Sequence, residues 1–222
     1  VSSLLIEDGA VCGVTLSKGT VLHAPAVIVA TGGASYPLTG PTGDGYRFAE
    51  EAGHTVVPIR PSLVPLVSED EDCRDLQGLS LKNVTLSLVD NQTGKTLYHE
   101  LGEMLFTHYG MSGPLVLSAS SHLKTITPGR YSVVIDLKPG LDEKQLDARI
   151  LRDFAEFANR DFINSLSKLL PKKMIPVIVY RCRIPAFLKV NSITKEQRHT
   201  PVSNIKRFVV PDDGFRPVEE AI

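Results

Sequence analysis

The chain has 222 residues, of which 42% are hydrophobic and 22% are charged, and its formal net charge is −1. This composition is typical of a globular protein, and no apolar run approaches the roughly twenty residues that a membrane helix needs. Three widely separated cysteines, Cys12, Cys73 and Cys182, argue against a disulfide framework or a CxxC metal motif. We therefore expect a cytoplasmic protein without a metal site and without membrane contact.

Charge is divided unevenly along the chain. Residues 1–110 contain 6 Lys+Arg against 13 Asp+Glu, a balance of −7, whereas residues 111–222 contain 18 against 12, a balance of +6. Such asymmetry is typical of two units with different surroundings, and the positive half favours an acidic partner.

The first thirty residues predict β structure. Two apolar runs flank Asp8-Gly9, which is a strong hairpin signal because both turn positions favour positive φ. Lys18-Gly19 predicts a second turn. The continuous β-branched run Ala26–Thr31 is typical of a strand buried on both faces, as in a parallel sheet.

A short helix follows, predicted from Asp44 to Ala52 with Gly53 as its stop. Its first turn is Gly43-Asp44-Gly45, so unpaired backbone N–H groups could hold an anion such as a phosphate; the alternative is a plain tight turn. Ala30–Gly33 sits where ligands bind in open α/β sheets. The dinucleotide fingerprint GxGxxG is absent, because Phe48 occupies the place of the third glycine.

The middle of the chain predicts a linker and then a second β region. Three closely spaced prolines favour an extended linker and domain boundary over residues 58–75. Short runs with turn signals over residues 76–138, joined by residues from about 184 to 211, predict a small barrel or sandwich. This region includes a strand over Ile205–Val210.

Residues 139–183 predict a helical segment. Asp142 and Gln145 form a capping-box pattern, and apolar residues then recur at steps of mostly three or four. Asn159–Phe162 breaks the pattern into two helices. A turn at Asp212–Gly214 precedes the last residues.

Individual residues of chemical interest are few. His108 lies in a glycine-rich turn, where a structural histidine is favoured over a ligand-facing one because no carboxylate partner accompanies it. Ser112 lacks the G-x-S-x-G spacing of a nucleophile elbow. A basic set favours a solvated face over a nucleic-acid site, because no aromatic residues interleave it; its members are Lys168, Lys172, Lys173, Arg181 and Arg183.

Three stretches together resemble a known family. "VIVATGGASYPLTGPTGDGYRFAEEAGHTVVPIRPSLVPL", "GEMLFTHYGMSGPLVLSAS" and "GFRPVEEAI" are similar to the YhiN/BaiN-type bacterial flavoproteins, FAD-dependent and aminoacetone-oxidase-like oxidoreductases. The resemblance implies an α+β fold: part of a split, Rossmann-like FAD-binding domain with an inserted small β-barrel and helical subdomain. Residues 1–57 and 212–222 would then belong to the FAD domain, and the chain would be an internal fragment.

The resemblance also implies different binding roles for individual residues. Four would lie beside the FAD, near its adenosine diphosphate half: Ala30, Thr31, Gly32 and Gly33. Six would line the cleft nearer the flavin or its substrate: Ser35, Tyr36, Thr42, Gly43, Asp44 and Gly45. The turn that contains His108, Tyr109 and Ser112 would face this cleft, with Arg216. No catalytic acid or base is implied, since the flavin performs the redox chemistry.

The resemblance implies an oxidoreductase that passes a hydride between FAD and a nicotinamide or small organic substrate, with NAD(P)H as a reductant. The fragment would need the rest of its FAD domain and would be inactive alone. Two rivals stay open. The basic helical face could dock a macromolecule, or the insert could be a structural lid, whose deletion over Asp70–Thr200 would raise oxygen reactivity while FAD stays bound.

Overall fold

The computed structural model describes all residues, Val1–Ile222. The chain forms two compact units. One consists of Val1–Pro61 with Pro217–Ile222, and the other of Ser62–Arg216. Each contains one β-sheet. None of the helices combines the length and the apolar character that crossing a bilayer requires.

The first unit contains an antiparallel sheet in the order β1-β2-β3. Its strands are β1 Ser3–Glu7, β2 Ala10–Thr15 and β3 Val21–His23. The hairpin prediction is confirmed: Asp8 and Gly9 have φ of 51° and 77°, the left-handed pair that a two-residue hairpin turn needs. The second turn is confirmed too, since Leu16 N–H donates to Thr20 O at 2.8 Å around Gly19.

The prediction of a buried strand over Ala26–Thr31 is wrong for this chain. The segment belongs to no strand, and Ile28 is 92% exposed. A strand needs a neighbour for its N–H and C=O groups, and no strand of the chain pairs with this segment. Its apolar side chains therefore remain open to solvent.

The predicted helix is confirmed as α1, Asp44–Glu51. Its C-terminus matches the expected glycine stop, because Gly53 has φ 84° and donates its N–H to Glu50 O at 2.9 Å. Phe48 is the one large apolar side chain of this unit that is buried. It anchors the helix to the unit's small core.

The second unit contains a seven-stranded antiparallel sheet in the order β10-β4-β7-β6-β5-β8-β9. The strands are β4 Leu66–Val67, β5 Ser80–Asp90, β6 Thr96–Thr107, β7 Gly110–Ser112, β8 Tyr131–Asp136, β9 Phe208–Asp212 and β10 Gly214–Phe215. The two edge strands, β9 and β10, are separated by Asp213 alone, so the sheet must curl until its edges are neighbours. The prediction of a small barrel is met only in part, because β9 and β10 do not pair. Asp213 instead donates its N–H to Val67 O at 2.9 Å, which ties the connection to β4.

Two helices fall where the sequence predicted linker or β structure. The predicted linker, residues 58–75, contains β4 and α2 Glu71–Asp75, whose Cys73 is fully buried. Asp70 caps α2 by accepting a hydrogen bond from Asp72 N–H at 3.0 Å. Within the predicted β region, α3 Pro114–Ser120 begins with proline at its first turn, a position that proline favours.

The helical part is larger than predicted. It comprises α4 Glu143–Glu156, α5 Phe162–Ser165, α6 Met174–Cys182 and α7 Lys195–Lys206. The capping box of Asp142 and Gln145 is confirmed, and so is the break before Phe162. The barrel assignment near 184–211 is wrong for residues 195–206, and the last long strand begins at Phe208 rather than Ile205.

Helix α7 was missed because Pro201 stands inside it. A proline cannot donate to the carbonyl of Gln197, four residues earlier, and would normally break the helix. Here Thr200 Oγ1 donates to Gln197 O at 2.8 Å and satisfies that carbonyl. A capping box of Thr194 and Gln197 starts the helix. This T-x-x-Q pattern was the signal in the sequence that could have identified it.

One continuous apolar core joins the sheet and helices of the second unit. Phe106 of β6 meets Phe208 of β9 edge to face, with ring centroids 6.2 Å apart. Ion pairs fix the helices around this core: Arg198 of α7 binds Asp147 of α4 at 2.7 Å. The unit thus contains its own complete hydrophobic core.

Candidate functional site

Two glycine-rich segments of the first unit lie against each other. Gly43 N–H donates to Gly33 O at 3.2 Å. A Cβ on Gly45 would lie 2.9 Å from Thr31 Oγ1, and one on Gly32 would lie 2.9 Å from Pro41 Cβ, so neither position has room for a side chain. The fold therefore brings together the two groups of residues that the sequence assigned to FAD, 30–33 and 42–45.

Left-handed residues shape the loop between these segments. Tyr36 has φ 49°, begins the 3₁₀ turn Pro37–Thr39, and is about half exposed. Its N–H donates to Glu219 O at 2.9 Å, which fixes the loop to the last residues of the same unit. Ser35 beside it is partly buried. Gly43 begins α1 with φ 77° and, as a glycine, gives the helix no side-chain cap.

Asp44 dominates the electrostatics of this loop. Its carboxylate accepts from Thr42 Oγ1 at 2.8 Å and pairs with Arg47 at 3.0 Å; these contacts lower the pKa of Asp44. A carboxylate therefore already stands at the positive end of α1. A phosphate placed there would be repelled, whereas a hydroxyl could donate to Asp44. The phosphate interpretation of Gly43-Asp44-Gly45 is thereby weakened, and a sugar or polyol hydroxyl fits better.

Arg47 holds α1 to the first strand. Its guanidinium donates to Ser2 O at 2.7 Å and pairs with Glu51 at 2.5 Å. Glu51 in turn accepts from Leu4 N–H at 3.3 Å. The contacts of Arg47 and Glu51 with Ser2 and Leu4 thus hold α1 in place without involving the glycine-rich loop that precedes it.

The remaining predicted residues lie in the second unit, in and beside the turn from β6 to β7. His108 is exposed and meets the Tyr109 ring edge to face, with centroids 4.9 Å apart. Arg216 lies over the Tyr109 ring, with its guanidinium carbon 4.6 Å from the ring centroid. Ser112 pairs with Leu105 across the sheet and stays partly exposed. The His108 ring is exposed to solvent and makes no side-chain hydrogen bond.

The backbone closes tightly behind this turn. Tyr109 O accepts from Ser68 N–H at 2.9 Å. Gly110 has φ 144°, and a Cβ there would lie 2.3 Å from Leu66 O. Only glycine lets β4 and β7 approach so closely, so the position of Tyr109 is set by the sheet rather than by loop flexibility.

Two buried carboxylates that the sequence did not single out flank Tyr131. Asp90 of β5 and Asp212 of β9 stand opposite Tyr131 of β8, one on each side. Burial alone would raise the pKa of Asp90, but hydrogen bonds from Gln92, Arg130 and Thr93 outweigh it and lower the pKa. Asp212 receives only Gly214 N–H, at 3.3 Å, and burial raises its pKa to about 7. Its Oδ2 has no hydrogen-bond partner.

The predicted basic face does not form as one surface. Lys168 pairs with Glu156 at 2.5 Å, and Lys173 donates to Gln77 O. Arg181 turns inward, paired with Asp70 and Asp72 and stacked on Phe208. Of the set, only Lys172 and Arg183 are exposed with neither an ion pair nor a side-chain hydrogen bond. The structure contains no cluster of three or more metal-ligating side chains.

Residues 60–222 match the family described as "HI0933-like protein barrel and H2TH domain". The chain belongs to this family, and the curled sheet followed by a helical part agrees with that description. Among curated proteins, the ribosomal RNA dihydrouridine synthase of Escherichia coli K12 is 33% identical over 203 residues, covering 91% of this chain and 48% of the relative.

Two further relatives carry related names. The ribosomal RNA dihydrouridine synthase of Haemophilus influenzae is 38% identical over 151 residues, covering 67% of this chain and 34% of the relative. The 3-dehydro-bile acid delta(4,6)-reductase of Clostridium scindens is 30% identical over 169 residues, covering 72% and 41%. The chain thus spans about half the length of these relatives or less.

Proposed function

We propose that the protein to which this chain belongs is a flavin-dependent reductase that adds hydrogen across a carbon–carbon double bond conjugated to a carbonyl. The names of the relatives carry this proposal. Dihydrouridine differs from uridine by two hydrogens across one ring double bond beside a carbonyl, and a delta(4,6)-reductase acts on double bonds of a 3-oxo steroid. One chemistry covers both names: a hydride adds to the carbon distal to the carbonyl, and a proton adds to the adjacent carbon.

Uracil in RNA is the substrate class that we favour. Two of the three relatives act on ribosomal RNA by name, and residues 111–222 carry the excess of positive charge that a polyanion would attract. The sequence alone disfavoured a nucleic-acid partner, whereas the names of these two relatives support one for the complete protein. A small enone is the second candidate, favoured by the bile-acid reductase.

FAD is the cofactor that we propose, within a YhiN/BaiN-type split domain. When bound in reduced form, it supplies the hydride, and a nicotinamide dinucleotide serves as the source of electrons. The chain's own geometry supports the fit in two ways. Gly32 and Gly45 let the two glycine-rich segments pack closely against each other, and the partly exposed Asp44 carboxylate, which already accepts from Thr42, would accept from a hydroxyl of the cofactor. Residues 1–57 and 217–222 would form one part of that domain. The predicted stretch 212–222 is shortened because residues 212–216 belong to the sheet of the second unit.

Six residues are proposed to contact the substrate, on the strength of the resemblance: Ser35, Tyr36, His108, Tyr109, Ser112 and Arg216. The solvated His108 ring and the stacked pair of Tyr109 and Arg216 support this assignment within the second unit. A planar guanidinium beside an aromatic ring is suited to a carbonyl-bearing ring system.

The test uses the product of the complete reading frame, purified and supplied with FAD and NADPH or NADH. It is incubated with ribosomal RNA transcribed without modification, and the digested nucleosides are analysed by mass spectrometry. We expect uridine to gain two hydrogens at a specific position. Reduction of a steroid enone but not of RNA would favour the second candidate, and reduction of neither would contradict the proposal.

A further inference from the structure

A long groove crosses the helical part of the second unit. Two surface cavities of about 880 Å³ and 820 Å³ share Ile163 and Pro176, so they form one continuous depression along α5 and α6. We call this depression the α5–α6 groove. Its floor is apolar, and the residues named for the candidate site in the preceding subsections do not line it. It is therefore a separate surface of the molecule.

The rim of the α5–α6 groove is positively charged. Arg160, Lys172 and Lys189 line the first cavity, and Arg183 lines the second. All four are exposed. The one acidic residue that lines either cavity is Asp161, which is neutralised by Lys189 at 2.7 Å. A surface with so few acids favours a polyanionic ligand.

Two of these cations are available for a ligand without losing another partner. Lys172 and Arg183 make neither an ion pair nor a side-chain hydrogen bond within the chain. Arg160 stacks on Phe157 at 4.0 Å, which orients its guanidinium while leaving its N–H groups to solvent. The cost of breaking existing interactions is therefore small at all three positions.

Exposed aromatic rings accompany these charges. Tyr180 lines the groove and is 83% exposed, and Phe187 in the segment that follows α6 is 77% exposed. A large ring left this open to water is uncommon on a protein surface that has no partner. Aromatic faces beside cations are the combination on which unpaired nucleotide bases stack while their phosphates are neutralised.

The groove is built on a fixed backbone. Ile163 N–H donates to Ala186 O at 3.0 Å, and Phe162 N–H donates to Leu188 O at 2.9 Å, so the segment after α6 is bound to α5. Arg183 ends α6 in a left-handed conformation, with φ 55°. Helix α6 itself is anchored by buried residues and by the Arg181 pair with Asp70 and Asp72. The cations and rings are thus held in place before any ligand binds.

We propose that the α5–α6 groove binds a single-stranded segment of RNA. Arg160, Lys172 and Arg183 contact phosphates, and Tyr180 stacks on a base. This inference rests on the proposed function, since it assigns a binding surface for the RNA whose uracil is reduced. A double helix would offer phosphates but no free base faces, so the exposed rings favour an unpaired segment.

The test measures binding of a fluorescein-labelled oligouridylate of about 12 nucleotides to the complete reading-frame product by fluorescence anisotropy. The triple variant R160Q/K172Q/R183Q should bind at least about tenfold more weakly, and its slope of log K against log salt should flatten by about 2, near 0.7 per lost contact. Tyr180→Ala should weaken binding roughly fivefold to a hundredfold, whereas Tyr180→Phe, which keeps the ring, should bind like the parent protein.

The matched control is K95Q/K124Q/K144Q. These three lysines are exposed, lie outside the groove, and change the net charge by the same amount. Equal weakening by both triple variants, or no weakening by either, would overturn the groove assignment. The reduction assay is run on the same samples: RNA that binds through the groove but is not reduced leaves the groove standing and contradicts the proposed function. If RNA is reduced while both triple variants bind it equally well, the proposed function stands and the groove assignment is contradicted.

Discussion

The two units of the chain differ most in how they bury apolar side chains. In Ser62–Arg216, β-strands and helices share one continuous core that contains Phe106, Phe162 and Phe208 fully buried. In Val1–Pro61, Phe48 is the one large apolar residue that is buried, while Ile28 and Leu38 are almost completely exposed. The second unit therefore has the means to stabilise itself, and the first has very little.

The difference indicates what each unit is for. The first unit presents glycine backbone, an exposed apolar run and a charged helix start. Such a surface gains stability only when something covers it. We propose that the rest of the FAD domain, together with the cofactor, covers Ala26–Thr31. The second unit buries its own apolar side chains and needs no such cover.

The largest expected effect sharpens the claim that the second unit carries its own core. Phe208→Ala should lower the free energy of unfolding by about 3–5 kcal/mol, because it empties a site packed by Phe106 and the Arg181 guanidinium. Urea unfolding followed by circular dichroism measures this. Phe187→Ala, at an exposed ring, is the matched control and should change stability by less than about 0.5 kcal/mol.

Asp212 provides the next test of that unit. Its pKa is about 7 when folded, well above the ordinary aspartate value, so the folded protein binds the proton more tightly than the unfolded chain. Stability should therefore fall as pH rises from about 4 to about 7, by at most about 4 kcal/mol. Asp212→Asn should remove this dependence and raise the melting temperature at pH 8.

Asp90, on the other side of Tyr131, should respond to pH in the opposite way. The pKa of Asp90 is lowered, so its contribution is present at neutral pH and is lost as pH falls through the folded pKa. Asp90→Asn should lower the melting temperature at pH 8. Thermal melts of the two variants at pH 5 and pH 8 distinguish them. The same response from both would contradict the hydrogen bonds assigned to Asp90 and to Asp212.

A fourth prediction concerns the first unit. Gly45→Ala would place a methyl group 2.9 Å from Thr31 Oγ1 and force the two glycine segments apart. In the complete reading-frame product, we expect FAD affinity to fall roughly tenfold, while unfolding of the second unit is unchanged. Flavin fluorescence titration measures the affinity. Gly140→Ala, where a Cβ meets nothing, is the control and should bind FAD as the parent does.

The smallest expected effect tests how α7 tolerates its proline. Thr200→Val removes the hydroxyl that satisfies Gln197 O and should cost about 1 kcal/mol of stability. Ser203→Ala, on the exposed side of the same helix, should change little. Equal effects in urea unfolding would show that the hydroxyl does not compensate for Pro201.

Sequence signals were reliable for features that depend only on adjacent residues. The Asp8-Gly9 hairpin, the glycine stop of α1 and the capping box at Asp142 depend on a few adjacent residues, and the structure contains each of them. Predictions that depend on distant partners fared worse. Ala26–Thr31 has the composition of a buried strand but finds no neighbouring strand in this chain, and its conformation could not be read from its own residues.

The candidate site residues show the same difference between features that the sequence predicts and features that depend on the fold. The approach of residues 30–33 to 42–45 followed from a resemblance and a glycine pattern, whereas the α5–α6 groove was not foreseen. Its cations come from Arg160, Lys172, Arg183 and Lys189, which are scattered in sequence and mixed with lysines that pair elsewhere. Only the fold separates Arg181, which turns into the core, from Arg183, two residues away on the surface.

An absorbance spectrum tests the central claim most directly. The complete reading-frame product, purified without added cofactor, is compared with the 222-residue chain alone. We predict flavin absorption bands in the complete product and none in the 222-residue chain, because the proposed split domain assigns only one wall of the FAD site to the first unit. A colourless complete product that also fails to bind added FAD would contradict the flavin assignment, and flavin bound to the chain alone would contradict the split domain.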